Sequence, residues 1–377
     1  MVILLFLLSG VSLGIVVWQF LEGLRFPLDK PENRITKDSF PPITLLKPLK
    51  GVDEYTSRCL ESWITQDYPG PIQLLLGVAS SSDPVCELVH ALQQKYPERN
   101  IQLILCKANL AINAKVSTLI QLENHIQHDQ VIISDADVSV QKDFLRKLAF
   151  SYEDNPGLIN CLYRLSNPTT LAMHMEAIAM NADFWSQVAQ SLKVMEMDYA
   201  MGAVMATSRD WLAKIGGFQS VGDYLADDYQ LGNQIHKQGG KIVLTNIIVD
   251  CLSPSMSWVQ VWKHQLRWAR TIRHCKPMAY ALSILSNSTI WPVILTLCYL
   301  QSASWIFLLA SLAVRSATAV WLQIHYEKTR RALLYFWLVP IKDIIQFVWW
   351  LLSFIGNRIE WRGEIYRVET GGKLVAL

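Results

Sequence analysis

Two aspartates two residues apart, Asp135 and Asp137, close a run of apolar, β-branched residues, Val131-Ile132-Ile133 followed by Ser134. Such a run reads as a buried strand, and carboxylates at its C-terminal end would stand at the mouth of a cleft, where α/β sheets place ligands. On extended backbone the i, i+2 spacing turns both side chains to one side, so two negative charges converge unless a cation separates them. Oxygen ligands of this kind suit Mg2+ or Mn2+, ions that usually take further ligands from substrate phosphates. A solvated β-turn is the competing reading of the same residues.

Further candidates fall at element ends. Asp83 follows the apolar run 72–79 and precedes Pro84, where it would cap a helix or reach into the same cleft. Asn113-Ala114-Lys115 opens the helix that leads to the central strand, and Asp227-Asp228-Tyr229 opens another, where acidic residues also complement the helix dipole. The segment 258–273 reads as an amphipathic helix on which Lys263, Arg267 and Arg270 recur at helical spacing, with Trp262 close by. That face suits anionic phosphates or anionic lipid head groups.

The elements that must position these residues alternate from Ile43 onward. Strands are expected at 43–46, 72–79, 101–106, 158–162 and 199–207, around the central one that begins at Val131, and helices at 54–66 and 170–190. Strand–helix alternation implies a largely parallel sheet. The Met and aromatic positions of 170–190 read as core.

The chain has 377 residues, 51% of them apolar and 18% charged, with 14 Trp, a composition that calls for membrane-embedded parts. A net charge of +2 gives no case for nucleic-acid binding. The seven cysteines are scattered without a Cys-x-x-Cys pair, against a disulfide framework or zinc site and in keeping with a reduced, cytosol-facing protein. Val2 to Leu21 is uncharged and long enough to anchor the chain in a bilayer; Pro27, Pro31, Pro41 and Pro42 mark a linker after it. Thr289 to Leu322 is too long for one simple span and is expected to be a helical pair or a span plus an interfacial segment. Ala332 to Ile355 is a second apolar stretch, interrupted by Lys342 and Asp343, which would pair with each other or with neighbours, or face a cavity. Lys328, Arg330 and Arg331 place their loop on the cytosolic side.

Taken in order, Lys47-Pro48-Leu49-Lys50-Gly51, Asp83-Pro84, Asn113-Ala114-Lys115, Asp135-Ala136-Asp137, Asp227-Asp228-Tyr229, His264-Gln265-Leu266-Arg267-Trp268 and Trp361-Arg362-Gly363 resemble the membrane-bound inverting glycosyltransferases. Among these the series looks like the ceramide glucosyltransferase group and its bacterial relatives that glycosylate hopanoids. The resemblance covers nearly the whole chain. It implies an α/β, GT-A-type, Rossmann-like fold with a mostly parallel sheet, helices on both faces, and transmembrane helices at both ends. The implied division is an anchor at 1–24, a linker at 25–42, a cytosolic catalytic domain at 43–280, a C-terminal transmembrane region at 281–360 and a tail at 361–377.

The resemblance also assigns roles. Asp83 and Asp135 would face the nucleotide and metal, with Asp135 and Asp137 as ligands of Mn2+ or Mg2+, and Asp228 would be the general base. Lys115, His264, Gln265, Arg267 and Trp268 would bind the donor. Two departures stand out: Asp137, where eukaryotic ceramide enzymes have Gly, and His264 at the first place of the closing motif, as in the hopanoid-type relatives. The implied partners are a UDP-sugar, a membrane lipid acceptor and the bilayer, with no nucleic acid, in a multi-pass protein of the bacterial inner membrane. A processive polysaccharide synthase and a non-enzymatic scaffold with a degenerate sugar-nucleotide fold are the alternatives. The first needs a channel of membrane helices, the second lost carboxylates.

Overall fold

The computed structural model describes residues 1–28, 40–152, 155–361 and 364–377. Pro31 of the linker and Arg362-Gly363 of the closing motif lie outside the described residues. The strands are β1 (Ile43–Leu49), β2 (Ile72–Val78), β3 (Asn100–Leu105), β4 (Gln130–Ser134), β5 (Val138–Ser139), β6 (Leu158–Leu165), β7 (Val204–Ser208), β8 (Ile242–Cys251), β9 (Arg358–Trp361), β10 (Glu364–Val368) and β11 (Leu374–Ala376). The helices are α1 (Val2–Arg25), α2 (Thr56–Ile64), α3 (Val85–Lys95), α4 (Ala114–Glu123), α5 (Phe144–Ala149), α6 (Leu171–Ile178), α7 (Trp185–Ser191), α8 (Arg209–Lys214), α9 (Asp227–Lys237), α10 (Trp258–Cys275), α11 (Pro277–Leu282), α12 (Ile290–Cys298), α13 (Ser302–Glu327) and α14 (Leu338–Ser353).

The first eight strands form one sheet in the order β3-β2-β1-β4-β7-β6-β8-β5. β3, β2, β1 and β4 run parallel, as the strand–helix alternation predicts. Beyond β4 the sheet is mixed: β7 is antiparallel to β4 and β6, β5 is antiparallel to β8, and β6 and β8 are parallel. Because β7 runs backwards, it enters the sheet at the end where β4 leaves it. The residues before β7 therefore lie beside Asp135, whose N–H donates to Ala203 O at 3.2 Å. β7 starts at Val204 rather than near Tyr199 because Met201 N–H is taken by the Asn160 side chain, at 3.0 Å, instead of a strand partner.

Alternation along the strands divides the core into two layers. Ile132 of β4 packs with Leu60 and Trp63 of α2 and Phe144 of α5, whereas Val131 and Ile133 pack with Leu119 and Leu122 of α4. Burying each such side chain is worth about 1.5–3 kcal/mol, so the buried face of every strand specifies its register. The α4-side layer continues through Trp185 of α7 to Ala319, Leu322 and Tyr326 of α13, so sheet and membrane helices share one core.

Among the described residues two helices are long and apolar enough to cross a bilayer, α1 and α13. A third apolar unit, Pro277–Ser286 with Ile290–Cys298, is bent by 60°. The stretch 289–322 is thus split between α12 and α13, as its length predicts. The segment after Ile355 is more than a tail: β9, β10 and β11 form an antiparallel sheet that packs onto the loop before α9, with Leu225 N–H donating to Gly372 O at 3.0 Å and Leu374 N–H to Asp223 O at 2.7 Å.

α1 reaches α13 and α7 closely at Gly23, where a Cβ would sit 2.6 Å from Leu322 Cδ2 and 3.2 Å from the Trp185 ring. A Cβ at Gly14 would meet nothing within 4 Å. Gly23→Leu should therefore cost about 1–3 kcal/mol through overpacking, and Gly14→Leu should not. Thermal unfolding of both variants in one detergent checks this; equal melting temperatures would show that α1 does not dock as described.

Candidate active site

The strand ends on which the expected carboxylates sit come together at one edge of the sheet. Asp83, past β2, accepts at 3.0 Å from Gly51 N–H through both oxygens and from Val85 N–H through Oδ1. Gly51 has φ +72°, a left-handed conformation that glycine adopts without strain, so the loop after β1 can fold onto Asp83. Asp83 thus does serve the first turn of α3, and it also pins the neighbouring loop.

Lys115 organises the centre. Asn113 caps α4, accepting from Lys115 N–H at 3.0 Å and Val116 N–H at 3.3 Å, while its amide donates to Tyr224 O and Asp227 Oδ1. The cap directs the buried Lys115 Nζ to Asp135 Oδ1 at 2.7 Å and Asp227 Oδ2 at 3.0 Å. Burial works against the charge on Lys115, but Asp135 and Asp227 outweigh it and hold its pKa well above the ordinary value. Lys47, buried at the end of β1, donates to Asp135 O at 2.6 Å and Ser134 Oγ at 3.0 Å; burial lowers it to about 8.

Asp137 opens to the cleft between β4 and β5. Burial of its carboxyl surroundings and the neighbouring Asp135 charge push it up to about 6, against the pull of Lys47. The backbone between Asp135 and Asp137 is a turn, Val138 N–H donating to Asp135 O at 3.4 Å, rather than the extended strand end expected; the two carboxylates remain close enough for the Asp135 charge to act on Asp137. Among the described residues no three His, Cys, Asp or Glu side chains gather to hold a metal by themselves. Two hard oxygen donors, one of them already paired with Lys115, fit a divalent ion that would complete its shell from water and a diphosphate.

Asp228 stands beside Asp227 in the first turn of α9 and accepts from Tyr229 N–H at 2.7 Å through Oδ1. Its other oxygen faces Gly202, where a Cβ would come within 2.9 Å, so the glycine keeps that lone pair approachable. Burial first and Asp227 second raise Asp228 to about 6, with Lys115 opposing. Tyr229 O–H donates to Cys275 O at 3.3 Å and ties α9 to the end of α10.

α10 starts with a Ser257/Gln260 capping box, which the sequence carries as Ser-x-x-Gln. His264 Nδ1 lies 2.6 Å from Glu176 Oε1, and Gln265 Nε2 donates to the same oxygen at 2.8 Å. The Trp268 ring is 4.8 Å from that of His264. Glu176, on α6, was hidden by a segment that reads as apolar core; a lone carboxylate among Met and Ala was its only signal. Two residues of the basic row have partners within the chain. Lys263 pairs with Glu360 at 2.7 Å, and Arg270 donates to the backbone of Ile355 and Arg358, so both hold the C-terminal sheet. The site thus has two parts: Lys47, Lys115, Asp135, Asp137, Asp227 and Asp228 in one cluster beside Asp83, and His264, Gln265 and Trp268 on α10 with Glu176.

The sequence profile of glycosyl transferase family 21 matches residues 4–374. The chain is similar to ceramide glucosyltransferase 3 of Caenorhabditis elegans, 19% identical over 363 residues that cover 91% of this chain and 76% of that protein. It is also similar to the ceramide glucosyltransferase of Candida albicans, 26% identical over 151 residues, 37% of this chain and 28% of that one. Its fold is shared with a solved structure of the mannosyltransferase PcManGT from Pyrobaculum calidifontis in complex with GDP-Man and Mn2+: TM-score 0.56, 16% identity, 94% of this chain and 97% of that one.

Lys115→Met should leave Asp135, Asp227 and Asp228 facing one another without a cation. Breaking a buried pair costs about 3–5 kcal/mol, and solvent contact at Asp135 places this one at the lower end. Chemical denaturation of Lys115→Met beside the double variant Lys115→Met/Asp227→Asn measures it: the second change should recover part of the loss, and strictly additive losses would refute the clamp.

Proposed function

Since the chain belongs to glycosyl transferase family 21, we propose that this glycosyltransferase moves one sugar, glucose or N-acetylglucosamine, from a UDP-sugar to the hydroxyl of a ceramide- or hopanoid-type membrane lipid, with inversion. The observation that carries the reading is that a carboxylate pair suited to a metal-bound diphosphate and a separate carboxylate raised to about 6 share one sheet edge. That edge belongs to a core continuous with membrane helices.

In this reading Asp83 faces the nucleotide, and Asp135 and Asp137 hold Mn2+ or Mg2+. When bound, the ion supplies positive charge for the departing diphosphate. Lys115 fixes Asp135, and Arg267 with Trp268 approaches the donor from α10, whose orientation Glu176 sets through His264 and Gln265. Asp228 takes the proton of the acceptor hydroxyl as its oxygen attacks the anomeric carbon from the face opposite UDP. The carbon–oxygen bond to UDP breaks as the new one forms, so an α-linked donor gives a β-glycoside. The catalytic domain, 43–280, lies on the cytosolic side of a bacterial inner membrane, anchored by 1–24 and 281–360, with the Lys328, Arg330 and Arg331 loop on the same side.

Incubating membranes that contain the protein with radiolabelled UDP-glucose or UDP-N-acetylglucosamine and extracting the lipids tests the activity. One sugar per lipid is expected, lost with EDTA and restored by Mn2+; a polymer, or no labelled lipid with either donor, would sink the proposal.

Asp228→Asn keeps the shape but cannot accept the proton, so kcat should fall by on the order of 10² or more with UDP affinity near wild type. In the wild type the base works only when ionised, so activity should climb as pH rises through about 6 and level off above it. A collapse of donor binding in Asp228→Asn would make this residue a donor ligand instead.

A further inference from the structure

The C-terminal sheet β9-β10-β11 draws two apolar residues from elsewhere into its own small core. Leu225, Ile359, Val368 and Leu374 are buried together, with Ile112 and Tyr366 packed against them. Both outside residues stand at exacting places: Ile112 directly precedes the Asn113 cap of α4, and Leu225 lies just before Asp227 and Asp228. The two loops are bonded to each other as well, Asn113 N–H donating to Gly222 O at 2.9 Å and the Asn113 amide to Tyr224 O at 2.9 Å. The sheet thus covers the joint from which Lys115 and Asp227 reach each other.

Its grip on that joint is a turn of two glycines. Gly371 has φ +77° and Gly372 φ +86°, so both hold left-handed backbone that residues with a Cβ enter only at a cost. On its own side the turn is closed by Gly372 N–H donating to Glu369 O at 2.9 Å and Glu369 N–H to Lys373 O at 2.8 Å. On the other side both carbonyls serve α9 and the loop before it. Gly372 O accepts from Leu225 N–H at 3.0 Å, and Gly371 O accepts from Gln230 Nε2 at 2.8 Å. Gln230 is 9% exposed and sits about one helical turn after Asp227. A Cβ at Gly371 would meet nothing within 4 Å, so that glycine is needed for its backbone alone.

The opposite end of the sheet is fixed. Arg270 donates to Ile355 O and Arg358 O, Arg273 Nη2 donates to Asn357 Oδ1 at 2.8 Å, and Lys263 pairs with Glu360. A unit fastened to α10 and following directly on α14 therefore holds a stiff turn against the start of α9. Among the described residues no hydrogen bond joins Asp228 itself to this sheet, so the sheet acts on that carboxylate only through the α9 backbone.

Resting on the lipid-glycosylating reading, we propose that Gln230 is a positioning residue. Its bond to the Gly371-Gly372 turn fixes the start of α9 and with it the approach of Asp228 to the acceptor hydroxyl. The C-terminal sheet is then a brace of the site, and the paired glycines supply the backbone shape that lets it reach.

Two pairs of variants in the full chain test this. Gln230→Met keeps the length but cannot donate, whereas Gln230→Lys still can. Gly371→Val disfavours the left-handed turn, whereas Gly371→Asn tolerates it. Transfer is read on membranes containing the protein as label passed from radiolabelled UDP-glucose or UDP-N-acetylglucosamine to extractable lipid, per UDP-binding site. Gln230→Met and Gly371→Val should lower kcat about tenfold with donor KM and Mn2+-dependent UDP affinity near wild type, and Gln230→Lys and Gly371→Asn should recover most of it. A residue that only stabilised the fold would change the number of UDP sites and leave the rate per site alone. Should Gly371→Val not fold, the two Gln230 variants decide.

Deuterium exchange of the purified protein in detergent reads the brace without any activity. Residues 222–230 should exchange faster in Gln230→Met and residues 43–49 should not. Wild-type exchange at 222–230, or a kcat per site equal to wild type in Gln230→Met, overturns the positioning role and leaves the lipid-glycosylating reading standing. Donor affinity falling in step with kcat overturns it too. No transfer by the wild type to any lipid, with faster exchange at 222–230 in Gln230→Met, would refute the enzymatic reading and leave the brace.

Discussion

The Lys115 ammonium stands 2.7 Å from Asp135 and 3.0 Å from Asp227, and the geometry of the carboxylate cluster depends on that bridge. Asp135 ends β4 and Asp227 begins α9, so one cation joins the two halves of the sheet where their polypeptide directions reverse. Without it, four carboxylates would crowd one cleft, and like charges at such separations cannot all stay ionised. With it, Asp135 and Asp227 are paired, while burial first and the neighbouring carboxylate second raise Asp137 and Asp228 to about 6. Asn113 matters through this bridge, because its cap sets the start of α4 and so the reach of Lys115.

How much of this could be read from the sequence follows from the range of the interactions. The strand ends carrying Asp83, Asp135 and Asp137, the cap at Asn113 and the acidic start of α9 are local signals, and each stands where its neighbours predict. The parallel run β3-β2-β1-β4 follows from strand–helix alternation. The reversal at β7 does not, because an apolar run looks the same in either direction and only the long-range pairing with β4 and β6 fixes it. Side-chain partners far apart in the chain were likewise hidden. Lys263 and Arg270 have the spacing of a phosphate- or lipid-binding face, yet their partners lie 97 and 88 residues away, on the C-terminal sheet.

α10 consequently works as a partition with a different task on each side. Its Lys263 and Arg270 side fastens the C-terminal sheet, which in turn bonds to the loop at 223–225 just before Asp227 and Asp228. Its Gln265 and Trp268 side borders a cavity among the membrane helices. Moving α10 would disturb both contacts together, while its Trp258, Val259 and Trp262 stay exposed, as on an amphipathic helix at a membrane surface.

The chain from Leu171 to Ser191 explains how α10 is held. It is helical throughout, but Ala179–Phe184 adopts a π-helical turn, which widens the helix by one residue and rotates the side chains that follow. Three polar residues on it each reach a different element. Glu176 receives His264 and Gln265 of α10; Asn181 bonds both Leu165 backbone groups at the end of β6 and Glu327 at the end of α13; Asp183 meets Arg315 and Lys342. A regular α-helix repeats every 3.6 residues, so positions five and seven apart fall on directions set by that period alone. The π turn lies between Glu176 and Asp183 and changes their relative direction, and the one helical segment reaches α10, β6, α13 and α14. Met and Ala fill the remaining positions because a joint among three packed bodies needs side chains that fit irregular gaps, which is why the segment reads as plain core in the sequence.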